Sequence, residues 1–231
     1  MSFLQSMASL LVSCGLLMQQ TLMELSPQND PNGLLLVNRE WRISSEYYPQ
    51  VRQAQVSGQV RRLRPEAASA LEEMYKAAKE EAGVTLVSVS GYREYDKQER
   101  IYRAKLKRVK GDVEAANAYV ALPGASEHQT GLAMDVGQRS LSSDQNLSGS
   151  FGDSRGGKWL RENCWRFGFI IRYQEGWEEI TGYESEPWHV RYVGKTYAEM
   201  MHENNVPLEV FVQLLREDTL MKLLTEEGEM K

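Results

Sequence analysis

Ser126-Glu127-His128-Gln129-Thr130-Gly131-Leu132-Ala133-Met134-Asp135 decides how this chain must fold. His128 and Asp135 stand seven positions apart, and side chains seven apart on a regular strand point to opposite faces of a sheet. For both to serve one site, the chain has to bend between them. Gln129-Thr130-Gly131 supplies the bend, because glycine adopts backbone angles closed to other residues. The expected local structure is a turn carrying His128, followed by a strand over Gly131 to Val136 that carries Asp135.

Upstream, Val84 to Ser90 (VTLVSVS) is β-branched and bounded by glycines, which reads as a strand. Arg64-Pro65-Glu66 places a proline and an acid at a helix start, and Ala67, Leu71, Met74, Tyr75 and Ala78 follow at helical spacing until Gly83. Glu94 to Val109 and Asp112 to Leu122 read as two further helices. Downstream, Ser140 to Gly152 reads as a polar loop, Lys158 to Phe167 as a helix, and Phe169 to Tyr173 and Trp188 to Val193 as strands. Two short helices, around Lys195 to Asn204 and Pro207 to Leu215, finish the pattern. Strands and helices do not alternate regularly, so the class is α+β, a small and mostly antiparallel sheet flanked by helices. Leu25 to Gly33 (LSPQNDPNG) is a linker by composition, which divides the chain into an N-terminal segment, 1–33, and one folded domain, 34–231.

The 231 residues are 42% hydrophobic and 26% charged, enough to bury one substantial core without disulfides. A net charge of -5 argues against a general nucleic-acid binder, and the basic patches at Val60 to Arg64 (VRRLR) and Arg103 to Lys110 (RAKLKRVK) are short enough to be solvated helix faces. Cys14 and Cys164 are the only cysteines, which excludes a disulfide framework and a four-cysteine metal site. No run approaches the roughly 18 apolar residues of a spanning helix, so a polytopic membrane protein is excluded. Phe3 to Met18 carries no charge and contains Leu11-Val12-Ser13-Cys14, which is similar to a bacterial lipoprotein cleavage box, although no Lys or Arg precedes it. A signal or lipid-anchor segment is the expectation there, with a short amphipathic helix as its alternative.

Three histidines occur in the whole chain, and two lie in segments with closely spaced acids: the stretch quoted above and Glu186-Pro187-Trp188-His189. A catalytic zinc site commonly has three protein N or O ligands and an open fourth position, a count that His128, Asp135 and His189 would meet. Pro187 argues that Glu186 lies on a loop entering the strand of His189, from which its carboxylate could reach a water without being a ligand. Metal-assisted hydrolysis needs such a base, and Glu186 is the candidate. Arg93 follows the glycine turn of Ser90-Gly91-Tyr92-Arg93, where a guanidinium could bind a substrate carboxylate or steady an oxyanion. Gln98 either faces the same cleft or lies exposed on its helix. Ser126 either donates to substrate or caps the turn before His128. His202 has no acid partner at ligand spacing beyond Glu203 and reads as a surface or capping histidine, while Trp177, Trp188 and Tyr192 read as core or cleft walls. No HExxH run, phosphate-binding glycine loop or GxSxG elbow is present.

SGYR at Ser90 to Arg93, SEHQTGLAMD at Ser126 to Asp135, GKWLRENCWRFGFIIRY at Gly157 to Tyr173 and EPWHVRYVG at Glu186 to Gly194 together resemble the VanY-type D-alanyl-D-alanine carboxypeptidases. These belong to a wider zinc peptidase group that includes lysostaphin-like enzymes and the hedgehog signalling domain. The resemblance covers roughly Leu34 to Leu215. It implies one zinc ion per chain held by His128, Asp135 and His189, Glu186 as general base, and Arg93 as the substrate arginine. It implies an enzyme of the bacterial cell envelope, outside the cytoplasm, that removes the C-terminal D-alanine from peptidoglycan stem peptides or their precursors; a monomer is the expected state. Anchoring through residues 1–33 is part of that expectation, and nucleic acid is not. Glu94 stands where a serine is usual after the arginine, a departure that bears on fine substrate preference. Two alternatives stay open: an L,D-carboxypeptidase acting on tetrapeptide stems, and a non-catalytic zinc domain that binds cell-wall peptides.

Overall fold

The computed structural model describes residues 34–229, so the N-terminal segment 1–33 with its anchor reading lies outside the described residues. Two short strands, Arg52–Gln53 (β1) and Arg62–Leu63 (β2), pair antiparallel. Helix α1, Pro65–Ala82, starts on proline, whose missing N–H costs nothing there, and ends at Gly83 in the left-handed conformation. Leu86–Ser90 (β3), Tyr95–Arg108 (α2) and Val113–Asn117 (α3) follow, then a 3-10 turn, Glu127–Thr130, and strand Ala133–Gln138 (β4). Ser143–Asn146 (α4), Ser150–Asp153 (α5) and Arg155–Asn163 (α6) run into a second 3-10 turn, Cys164–Phe167. Phe169–Tyr173 (β5), Glu178–Thr181 (α7), Glu186–Tyr192 (β6), Lys195–Asn204 (α8) and Leu208–Glu229 (α9) complete the described chain.

The main sheet has the order β3-β4-β6-β5, with every neighbouring pair antiparallel, as the sequence pattern predicts. One face is apolar. Met134, Val136, Val190 and Ile171 pack there against Leu71, Met74 and Ala78 of α1 and Trp159 and Leu160 of α6. Burying each large side chain stabilises the fold by about 1.5–3 kcal/mol, so this layer holds the sheet flat against its helices. The opposite face carries the alternate residues of the same strands, Asp135, His189 and Arg191 among them. Leu35, Val37 and Ile43 from the chain entering the domain pack together, and the Leu35 carbonyl accepts from Arg191 on that face.

The structure departs from the sequence reading in four places. The polar stretch 140–152 is not a plain loop: Ser142 and Gln145 form a reciprocal capping box on α4, and Ser154 caps α6. Serine favours those positions because its hydroxyl accepts from free N–H groups at a helix start. The helix expected over Asp112 to Leu122 spans only Val113–Asn117, and its last carbonyl, that of Asn117, accepts from Arg39 Nη2 at 2.6 Å. The final helix runs on to Glu229, past the expected end at Leu215. Lastly, Glu186 is the first residue of β6 and pairs with Tyr173, and is not on a preceding loop.

The bend between His128 and Asp135 falls in the Glu127–Thr130 turn, closed by Gly131 at φ 73°. A Cβ on Gly131 would meet Val51 Cγ1 at 3.1 Å and Arg64 Cγ at 3.2 Å. Gly131→Ala is therefore expected to lower the free energy of unfolding by about 1–3 kcal/mol through backbone strain. Urea unfolding checks this, as a lower midpoint at an unchanged slope.

Candidate active site

Asp135 and His189 are direct partners across β4 and β6, which puts their side chains on one face at the spacing of a cross-strand pair. Asp135 Oδ1 lies 3.1 Å from His189 Nδ1, and Asp135 Oδ2 lies 3.2 Å from His128 Nε2. The two imidazoles meet edge to face, with centroids 4.9 Å apart. All three side chains are buried, at 4%, 7% and 4% exposure for His128, Asp135 and His189. One ligand atom from each lies within 4.8 Å of the others, so the three converge on a single point.

The outer nitrogens of both rings are spoken for. His128 Nδ1 is 2.8 Å from the carbonyl of Gly91 and donates to it, leaving Nε2 as the lone pair turned toward Asp135. His189 Nε2 is 3.3 Å from Glu127 Oε2, which leaves Nδ1 facing the cluster. Partners of this kind fix tautomer and ring orientation in metal sites. Two imidazole nitrogens and a carboxylate oxygen are the N and O donors that zinc accepts, and the residues fit that ion.

Glu127 went unread in the sequence and is the most constrained group here. It is 1% exposed, and its Oε1 accepts from Arg172 Nε and Arg191 Nη1, each at 2.8 Å. Burial alone would neutralise this carboxyl, but Arg172, Arg191 and His189 hold it ionised, well below the usual carboxylate range. Asp135 is likewise held low by His128 and His189 against the effect of burial. For His189, burial disfavours the charged ring, yet its hydrogen bonds with Asp135 and Glu127 and the charge of Glu186 raise it to about 9. An imidazolium there is the positive charge that a metal cation would replace. Burial holds His128 below its ordinary value. The clue to Glu127 lay in the strands: Arg172 and Arg191 sit inside the apolar runs FIIRY and HVRYV, and a fully buried guanidinium needs a counter-charge.

Above the cluster opens a cleft of about 210 Å³ that Arg93, Gln98, Ser126 and Glu186 line together with the three candidate ligands. Glu186 Oε2 is 3.7 Å from His189 Nδ1. The β5–β6 register is irregular between Ile171 and Tyr173, and Glu186 lines the same cleft as His189 despite their odd spacing. Burial pushes the Glu186 carboxyl up to about 7, and the charges of Asp135 and Glu127 act in the same direction while His189 and Arg93 oppose them. Arg93 Nη2 is 3.9 Å from Asp135 Oδ2, and its Nη1 donates to Gln98 Oε1 at 2.7 Å. Gln98 is 1% exposed and also donates to the Ala121 carbonyl, so it holds Arg93 in place and is not an exposed helix residue. Ser126 precedes the turn without a side-chain capping bond. Trp188 is a cleft wall, Tyr192 packs on the core, and Trp177 lines a separate depression. His202 stacks on Trp165 at 4.7 Å and does not line the cleft.

A family model described as VanY, D-alanyl-D-alanine carboxypeptidase, matches residues 60–195. The chain belongs to the VanY family. One similar protein, "Putative carboxypeptidase YodJ" of Bacillus subtilis (strain 168), is 43% identical over 196 residues, 82% of this chain and 70% of that one. Two solved VanY-like structures are also similar. The LdcB LD-carboxypeptidase superposes with a TM-score of 0.73 at 44% identity, over 80% of this chain and 88% of LdcB. A Glu-to-Ala variant of a vancomycin-resistance D,D-pentapeptidase VanY from a VanB-type cassette, in complex with Zn(II), gives 0.66 at 35%, over 78% and 98%. This VanY-family chain is accordingly a carboxypeptidase acting on peptidoglycan peptides, with the α+β fold of that family, and zinc is the metal that its cluster matches.

Glu127→Gln tests the support of the cluster. It removes the carboxylate charge that Arg172 and Arg191 share, with Arg172 keeping Glu209, and is expected to cost about 3–5 kcal/mol of stability. Zinc affinity, measured by competition with a chromophoric chelator under conditions where the variant is folded, should fall about 10- to 100-fold. Unchanged affinity and stability would remove Glu127 from the site.

Proposed function

We propose that this chain is a zinc-dependent D,D-carboxypeptidase that removes the terminal D-alanine from stem peptides ending in D-Ala-D-Ala. His128, Asp135 and His189 are the metal ligands in this reading, and Glu186 is the general base. The observation that carries it is the juxtaposition of Glu186, 3.7 Å from His189, with a three-donor cluster that leaves its cleft side open. A zinc ion supplies Lewis acidity there, lowering the pKa of a water and polarising the scissile carbonyl. Glu186 takes a proton from the attacking water as its oxygen bonds to the carbonyl carbon. It then gives that proton to the amine of the departing D-alanine as the C–N bond breaks.

Arg93 lies beside Asp135 at the rim of the cluster, which favours it as the cation for the oxyanion over a role at the more distant carboxylate. Gln98 and Ser90 hold two ends of that guanidinium, so Gln98 acts on substrate through Arg93. Ser126 is left to donate to the substrate's terminal carboxylate. Work on a wall peptide supports a place outside the cytoplasm. No helix among the described residues is long and apolar enough to cross a membrane, and an anchor in residues 1–33 and a monomeric state complete the proposal.

A second reading is an L,D-carboxypeptidase that takes the tetrapeptide. It is favoured by the greater identity to LdcB, 44% against 35% for the D,D-pentapeptidase. The same base and metal serve both, because each reaction releases D-alanine. Purified enzyme incubated with pentapeptide or tetrapeptide is expected to release D-alanine from the pentapeptide at the higher kcat/KM, and a chelator should abolish release from both. The reverse order of kcat/KM would establish the second reading. Glu186→Ala should keep its zinc and lose kcat on the order of 10²–10⁴-fold, as removal of a general base does. A fully active variant would end the role given to Glu186.

A further inference from the structure

A concentration of positive charge runs along α2 and into the turn that follows it, which holds Lys110. Lys97 to Lys110 contains seven Lys and Arg against one acid, Glu99, a net +6 in a chain whose total is -5, so the remainder carries -11. Lys97, Arg100, Arg103, Lys107 and Arg108 are all exposed. Their spacing of three, three, four and one places them along one side of the helix. From Lys97 to Lys107 the strip is about 15 Å long, at 1.5 Å per residue. Only Arg103 has a close acidic partner on the strip, Glu99 at 2.7 Å, and Asp96 flanks the amino end.

The position of α2 gives the strip its meaning. Gln98 and Ile101, on the inner side of the same helix, line the catalytic cleft, and Arg93 lies two residues before the helix begins. Arg100, Arg103 and Lys107 therefore run along the outer wall of the cleft, while Lys97 and Arg108, at i–4 and i+7 from Ile101, flank it toward the rim. Lys105 extends the pattern to the rim, where its Nζ lies 4.7 Å above the ring of Tyr119, another cleft residue.

We infer that the outer side of α2 is a docking strip for the peptidoglycan strand that carries the substrate peptide, read through the carboxylates of neighbouring stem peptides. This rests on the peptidase reading above and adds a polymer-binding surface to it. Charge complementarity argues for a polyanion, since the strip is cationic while the rest of the molecule repels one. A row of spaced cations matches a flexible strand bearing charges at intervals. Ala104 is the only apolar residue among those between Lys97 and Lys107 that is exposed, so the strip has nothing to insert into a bilayer. The polymer that delivers a peptide to the inner side of α2 is also the one that passes its outer side.

Sedimentation with insoluble peptidoglycan, stripped of phosphodiester polymers by hydrofluoric acid, tests this without requiring turnover. The full chain should bind at low salt and release at high salt. The triple variant K97E/R100E/K107E should bind on the order of tenfold or more weakly, since close charge complementarity is reversed. Amidating the stem-peptide carboxylates should weaken the wild type to the same degree. Release of D-alanine from a short soluble pentapeptide should be the same for variant and wild type, with only KM for the polymer raised. Equal binding by the two proteins would overturn the inference. So would loss of soluble-peptide turnover in a folded variant, binding that appears only when phosphodiester polymer is left on the wall, or binding confined to anionic vesicles. If the wild type releases no D-alanine from either peptide, the peptidase reading fails separately, and the sedimentation result still stands on its own.

Discussion

A carboxylate cut off from water, that of Glu127, is the group on which the site face of the sheet depends. It draws Arg172 from β5, Arg191 from β6 and His189 into one hydrogen-bonded knot, and it is itself anchored in the turn before β4. Arg172 reaches on to Glu209 in α9, which ties the C-terminal helix to the same network, and Arg191 also donates to the Leu35 carbonyl at the domain's entry. Burying so many charges contributes little net stability, because desolvation offsets most of the attraction. What it supplies is specificity. Each partner is satisfied in only one arrangement of turn, strands and helix, and that arrangement presents the Nδ1 of His189 to the cluster.

The cleft combines groups whose charges are set by opposite means. Asp135 and Glu127 stay ionised because cations surround them, whereas Glu186 is buried with weaker compensation and is pushed up toward neutrality. A cation bound among the three donors would draw Glu186 back toward its ionised form, since a bound ion is the largest local charge. Glu186, the proposed base, thus depends electrostatically on the occupancy of the site beside it.

Much of this was legible in the chain because scarce residues carried it. With three histidines in all, the choice of His128 and His189 was narrow, and the bend at Gly131 followed from strand parity alone. The antiparallel sheet, and the strand at Phe169–Tyr173, could be read because the apolar runs are short and sharply bounded. Two things could not be read. Glu127 finds its arginines 45 and 64 positions away, so no local pattern announces it. The entry of Glu186 into β6 depends on a register slip against Tyr173, and register belongs to a pair of strands, not to either alone. Gln98 was left undecided for a similar reason, since an acceptor for Arg93 and a surface glutamine look alike until the cleft is built.

The pairing of Asp135 with His189 also decides where this architecture can vary in length. A single residue inserted within β4 or β6 would turn one of these side chains to the helix-packed face, an all-or-none change with no intermediate. Residues 139–168, which leave the sheet after β4 and return before β5, carry no such parity requirement. Insertions and deletions should therefore collect in that excursion, leaving the strand segments fixed in length, and it is the natural place to graft additional sequence onto the scaffold.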